Sequence, residues 1–307
     1  MPPAVQDRAR ASASATPPQA FPNYWDRLDT FFFRSVFREA VQVALAKVPK
    51  PGRVHPFRHL QEVSIFTIYT FGTTFRPFAE LMQLPSLERI HFSKCNNAGG
   101  LLSRMRTGCP VGHIRARSLI IDEFSVLRDR GSNYLPQVLE CFESLEYLEL
   151  GTYPRDGKLG SLLRSQRKSL QSLVLPNGGY KGRWATLGSL HGFTALKHFK
   201  CRVSALEKGD LKVNLPTSLE TLTLVKTVVE DVTEALEELS FSVLANIFPN
   251  LRRICISSEP ARMLHDRPQL DGIPSPDGQV RRRMLAKLEE NFRAKGVEFV
   301  VTAFESG

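Results

Sequence analysis

The sequence has little of what a disulfide scaffold or a metal site needs. Its five cysteines, Cys95, Cys109, Cys141, Cys201 and Cys255, are an odd number with no C-x-x-C spacing, so neither a disulfide framework nor a zinc site is expected. No N-x-S/T sequon occurs, and no apolar run approaches the ~20 residues that a membrane-spanning helix requires. The first twenty residues, MPPAVQDRARASASATPPQA, lack the apolar core of a secretory signal. A reducing cytoplasmic or nuclear setting, with no membrane partner, is the expectation.

Signatures of catalysis are equally sparse. There is no G-x-G-x-x-G, P-loop, G-x-S-x-G or H-E-x-x-H. The seven histidines are scattered. His55 and His59 stand four apart but flank Pro56, which keeps them off a common helical face. A nucleophile pair of Cys95 with His91, or a carboxylate pair of Asp122 with Glu149, can be drawn on paper. A buried turn cysteine and exposed strand charges explain the same residues more simply. The chain is expected to be non-catalytic and to use no cofactor or metal.

Charge is the one compositional excess. Lys plus Arg number 41 against 31 Asp plus Glu, a net +10. Such a balance favours acidic partners. The basic residues are dispersed, however, and the only dense run is Arg281-Arg282-Arg283. An even basic track, which nucleic acid would call for, is missing, so nucleic acid is the alternative partner rather than the expected one.

Residues 1–22 are rich in Ala, Ser and Pro and have little to bury, so they read as a disordered tail. The remainder, 23–307, reads as one domain. A helical pattern follows over 29–48, with Phe33, Phe37, Ala40 and Ala44 on one face, closed by Pro49 and Pro51-Gly52. It would cap the N-terminal end.

A repeat then decides the fold class. The phrase L-x-x-L-x-L, with conservative replacements, occurs at Leu60/Val63/Ile65, Leu87/Ile90/Phe92, Leu145/Leu148/Leu150, Leu170/Leu173/Leu175, Leu196/Phe199/Cys201, Leu219/Leu222/Leu224 and Leu251/Ile254/Ile256. A weaker copy is Ala116/Leu119/Ile121. The starts lie 23 to 32 residues apart, close to the ~20–29-residue period of leucine-rich repeats. The last two apolar positions alternate along a short strand and point inward, while the first anchors the turn. Cys95-Asn96 occupies the place where a buried residue closes that turn. Helical stretches fall between phrases at Phe78–Leu84, Asn133–Phe142, Leu159–Lys168 and Glu230–Phe248. The stripe of the last is Val232, Leu236, Leu239, Val243 and Ile247. A helix over Val280–Lys295, with Gly296 as its cap, and a strand over Val297–Val301 would close the C-terminal end at about 280–303. The expected architecture is an α/β leucine-rich-repeat-like solenoid of about eight degenerate repeats. Its parallel sheet lines the concave side and its helices the convex side.

On such a sheet the residues flanking the inward positions face out. The residue before the second apolar position gives one row, which includes Arg89, Tyr147 and His198. The residue between the last two gives a second, with His91, Glu149 and Lys200. The residue after the last gives a third, with Ser93, Asp122, Gly151, Arg202 and Val225. Asp122, Glu149 and Glu146 make an acidic area around Tyr147, and His198, Lys200 and Arg202 a basic one two repeats on. Aromatic and arginine anchors in a mixed polar surround suit protein recognition. The partner-binding candidates are therefore Arg89, His91, Asp122, Tyr147, Glu149, His198, Lys200 and Arg202.

The phrases FRHLQEV (57–63), LPSLERIHFSKCN (84–96), FESLEYLEL (142–150), LPTSLETLTL (215–224), FPNLRRICI (248–256) and KGVEFVV (295–301) resemble the leucine-rich-repeat regions of fungal F-box-type proteins. The resemblance spans about residues 30–307. It implies a substrate receptor of a cullin-type ubiquitin ligase, joined to the Skp adaptor through an F-box. The L-P-x-E-[IL] helix of an F-box is not seen in residues 1–50.

Overall fold

A tight turn opens five units of the computed structural model, where the leucine that starts the phrase donates its N–H to a carbonyl three residues back. Leu60 bonds Phe57, Leu87 bonds Leu84, Leu196 bonds Phe193, Leu219 bonds Pro216 and Leu251 bonds Phe248, at 3.0–3.3 Å. Residues 57, 59–66, 76–93, 105–122, 135–151, 158–175, 188–202, 214–227, 229–258 and 276–303 are described. They all lie in a compact unit, Phe57–Gly307, separate from a second unit, Met1–Pro56. The tail expected over 1–22, the helix over 29–48 and the Cys95-Asn96 turn lie outside the described residues.

After the turn the chain extends. Nine strands form: β1 (Glu62–Phe66), β2 (Arg89–Ser93), β3 (Ser118–Ile121), β4 (Tyr147–Leu150), β5 (Ser172–Leu175), β6 (His198–Arg202), β7 (Thr221–Thr227), β8 (Arg253–Ser258) and β9 (Glu298–Ala303). They make one open sheet in sequence order, and every neighbouring pair is parallel. The protein is thus α/β with an all-parallel nine-stranded sheet. Parallel neighbours require a return segment between strands. The described helices lie in those segments: α1 (Arg76–Met82), α2 (Leu135–Glu140), α3 (Leu159–Leu162), α4 (Val229–Leu244) and α5 (Pro276–Arg293).

One carbonyl per unit sets the register. The backbone oxygens of Gln61, Glu88, Arg117, Glu146, Gln171, Lys197 and Glu220 each accept two consecutive N–H groups from the next unit, at 2.8–3.1 Å. Every strand therefore starts level with its neighbour. Leu119 stands opposite Ile90 and Leu148, Leu173 opposite Leu148 and Phe199, and Ile254 opposite Leu222 and Phe299. The inward residues of β2 to β8, from Ile90 and Phe92 to Ile254 and Ile256, are 0–2% exposed. Burying one such side chain stabilises by ~1.5–3 kcal/mol, so the aligned stack is the main apolar core.

Side chains then satisfy the turn carbonyls that the strands leave behind. Ser86 Oγ donates toward the Phe57 and Leu60 carbonyls, and Ser218 Oγ toward those of Phe193 and Leu196. Buried Gln166 does this between α2 and β4. Its amide donates to the Leu139 and Phe142 carbonyls, and its oxygen accepts the Leu145 N–H at 2.9 Å.

The helices differ from their expected limits for local reasons. The stretch expected over Leu159–Lys168 breaks, because Leu163 leaves helical geometry (φ −89, ψ 8) and Arg164–Gln166 tightens into a 3-10 turn. The helix expected to reach Phe248 stops at Leu244. Asn246 adopts φ 60, and the N–H groups of Asn246 and Ile247 fold back on the carbonyls of Val243 and Ser242. This is a Schellman closure built on Asn. Gly296 (φ 72) closes α5 in the same way, through the carbonyls of Arg293 and Phe292. Leu236, Leu239 and Val243 of α4, and Leu288 and Phe292 of α5, are buried. α4 packs against α5, and Phe292 stacks on Phe299 of β9 with ring centroids 5.3 Å apart.

Gly151 follows β4 directly, and its N–H bonds the Ile121 carbonyl at 2.7 Å. A Cβ there would land on the backbone carbonyl of Asp122. Gly151→Ala is expected to lower the unfolding free energy by about 2 kcal/mol through this overpacking, as read in urea denaturation. An unchanged midpoint would show that the Asp122 backbone yields freely.

Candidate functional site

The outward positions of the strands form lateral rows because every neighbouring pair is in register over the first residues of its strands. In the first row Arg89 pairs with Ser118, Ser118 with Tyr147, Tyr147 with Ser172, and Ser172 with His198. In the second row His91 pairs with Ile120, Ile120 with Glu149, Glu149 with Val174, and Val174 with Lys200. The two rows run parallel across one face, and both are partly or fully solvent-accessible.

The third row departs from expectation. Asp122 and Arg202 are partly exposed, but Ser93 and Val225 are 8% and 2% exposed and Gly151 is buried. Gly151 is covered by the Asp122 backbone. At Val225 the pairing with β8 shifts register before Thr227, which ends regular alternation there. The outward face is therefore two rows wide, with Asp122 and Arg202 at its border.

Local bonds join several of the eight candidate residues. His91 Nε2 lies 2.7 Å from Asp122 Oδ2, reaching diagonally across one strand gap. Asp122 also sits at the end of β3, with its N–H on the Phe92 carbonyl, so both partners are held by backbone pairing. Tyr147 donates its hydroxyl to Glu149 Oε2 at 2.6 Å along the same strand. Burial pushes the Tyr147 phenol well above its ordinary value. The hydrogen bond to Glu149 and then that residue's charge push it the same way. Arg89 lies 3.8 Å from Glu62 across β1 and β2. The two carboxylates that might have been paired for acid–base work are thus engaged separately, Asp122 by His91 and Glu149 by Tyr147.

The basic strand is different. His198 and Lys200 are exposed and Arg202 partly so. None of the three makes an ion pair within 4.0 Å among the described residues. The Nε of Arg202 is withdrawn from solvent and has no hydrogen-bond partner among them. β6 does not touch the acidic area, because β5, with Ser172 and Val174 outward, lies between.

A further charged row lies one residue before the strands, beside the doubly accepting carbonyls. It reads Glu88, Arg117, Glu146, Gln171, Lys197, Glu220 and Arg252. Arg117 bonds Glu146 at 3.0 Å and Lys197 approaches Glu220 at 3.1 Å. The Lys197 hydrogen bond holds the Glu220 carboxyl below its ordinary value, aided by the charges of Lys197, Arg252 and His198. Of these residues only Glu146 belongs to the acidic area expected from the sequence. Their alternating sign at one fixed offset from the leading leucine was the available signal. They couple unit to unit at the rim of the face.

The buried cysteines Cys109, Cys141 and Cys201 suit a structural role. Burial raises the Cys109 thiol to about 12 and the Cys141 thiol to about 11, and it raises Cys201 further. Thiols so shifted are poor nucleophiles. No group of three His, Cys, Asp or Glu side chains among the described residues is placed to hold a metal. None of the described helices is long and apolar enough to cross a membrane. Comparison with protein-family models, curated proteins and solved structures returns no match for this chain.

The Tyr147–Glu149 bond has a pH signature. A phenol raised in the folded state contributes its full stabilisation below its unfolded value of 10.0, and loses it as pH climbs above that. Titration of phenolate absorbance should show a late-ionising component in the native protein that Tyr147→Phe removes. If the component that Tyr147→Phe removes ionises near the ordinary value of 10.0, neither the burial nor the bond persists in solution.

Proposed function

We propose that this chain is a leucine-rich-repeat-like solenoid that binds a protein partner on the concave face of its sheet and catalyses nothing. The supporting observation is the continuous nine-stranded parallel sheet, in register at the two lateral rows of mixed character that it presents. Arg89, His91, Tyr147 and Glu149 stand on one part of that face and His198 and Lys200 on another, with Asp122 and Arg202 at its border. A wide surface of aromatic, hydroxyl and charged groups fits protein recognition. On this reading the sheet has about eight repeats behind it, with the helical segments on the convex side.

The phrase resemblance adds a setting for that reading. The partner is then a substrate delivered to a cullin-type ubiquitin ligase in the cytoplasm or nucleus, with the Skp adaptor as the link. A second reading, binding of nucleic acid, is favoured by the net +10 charge and by Lys200 and Arg202 of β6, which make no ion pair within 4.0 Å among the described residues. The carboxylates of Asp122 and Glu149 on nearby strands oppose it, since they would repel a polyanion crossing the face.

Affinity purification of the full chain with mass spectrometry tests the setting: Skp-adaptor and cullin subunits should co-purify, and their absence removes the ligase role. For the face itself, the double variant Glu149→Lys/Lys200→Glu should capture the recovered partner about tenfold less well, with an unchanged melting temperature. Undiminished capture would move the contact off this face. A salt-independent result, or no retardation of nucleic acid in a low-salt gel shift, excludes the second reading.

A further inference from the structure

The charges of the outward face divide into two kinds. On β1 to β4 they are consumed locally, Arg89 by Glu62, His91 by Asp122, and Glu149 by Tyr147. On β6 they are not. His198, Lys200 and Arg202 follow one another at alternate positions of a single strand, so they share one face and span ~13 Å. Neighbouring strands supply no anion in the same rows. β5 offers Ser172 and Val174, and β7 offers Thr221 and Thr223. The carboxylate that interacts with His198, Glu220, is already held by Lys197.

We propose that β6 is the anchoring strand for an acidic segment of a protein partner, with His198, Lys200 and Arg202 receiving its carboxylates. This rests on the reading of the sheet as a protein-binding face, and it names the chemistry of what binds there. Two independent features carry it. The first is a strand that carries His198, Lys200 and Arg202 with no ion pair within 4.0 Å among the described residues, bordered by hydroxyls that can donate to a carboxylate. The second is the Arg202 Nε, which is out of solvent and unpartnered. A buried donor left without an acceptor is costly, and a carboxylate docking against this guanidinium would draw the side chain into a bonded geometry.

The patch is short, one strand wide, and neutral on both sides. A nucleic acid needs cations spaced along a track, and here such a track would run into Glu149 and Asp122 two or three strands away, at a strand spacing of ~4.8 Å. An acidic peptide stretch of a few residues fits the dimensions better. Its flanking residues would then lie over Ser172 and Val174 toward Tyr147.

The test uses the full chain and a fluorescein-labelled octaglutamate peptide, read by fluorescence anisotropy at low and at physiological salt. Saturable binding is expected. Lys200→Glu and Arg202→Gln should each weaken it about tenfold, while Glu143→Gln, exposed and off this face, leaves it unchanged. Lys200 is exposed, so its substitution tests the site even if the Arg202 variant folds poorly. Absence of peptide binding at low salt overturns the proposal, as does equal binding by Lys200→Glu. Tighter binding of an oligothymidylate with the same β6 dependence also overturns it, in favour of nucleic acid. If Tyr147→Ala loses capture of the natural partner while Lys200→Glu keeps it, the protein-binding face stands and the acidic anchor falls. If neither variant loses capture, both fall.

Discussion

The structure depends on one recurring backbone arrangement: a carbonyl just ahead of each strand that accepts two successive N–H groups from the next unit. A carbonyl has two lone pairs, so both bonds can form well. Each strand then begins at a fixed height relative to its neighbour. A slip of one residue would turn every leucine of that strand outward and every charge inward. The apolar stack and the polar rows are consequences of the same registration, and neither could exist without it.

That constraint also explains what could be read from the amino-acid sequence. The positions of β2 to β8 were legible because the strand has a side-chain period of two and its inner face is dry, so leucine, isoleucine or phenylalanine must recur at fixed places. Ser118, Tyr147 and His198 fall in one row for the same reason. Pairings across the face were not legible. His91 reaches Asp122 diagonally, so the contact depends on pleat and twist as well as on offset. Gly151 is required by a close backbone approach, which leaves no trace in polarity patterns. The third row failed where strand alternation itself ended, at Ser93, Gly151 and Val225. Helix ends were misplaced where a single residue in left-handed geometry, Asn246, closed the helix early.

The rim pairings of Arg117 with Glu146 and of Lys197 with Glu220 were not legible for a different reason. These side chains sit in turns, where charge ordinarily means only solvation. What gives them meaning is that the doubly accepting carbonyls bring the same position of successive units side by side. Opposite charges at that position then reinforce the stacking, each pair by a small amount because the groups are exposed. Like charges there would repel along the length of the sheet.

From this the two parts of the face can be weighed against each other. Scaffold stability comes from buried apolar residues and backbone bonds, and no outward side chain is needed for either. Outward charges are thus free to serve recognition, and the degree to which they are already neutralised matters. Around Tyr147 they are locked into short bonds, which makes that region rigid and shaped, a surface for packing and hydrogen bonding. On β6 Lys200 and Arg202 have no ion-pair partner among the described residues, and the Arg202 Nε is withdrawn from solvent without an acceptor, a state that an anion docked there would relieve. A partner engaging both would need an ordered polar surface over β4 and negative charge over β6, about two strand widths or ~10 Å apart. The fixed strand spacing turns that charge pattern into a geometric requirement on whatever binds.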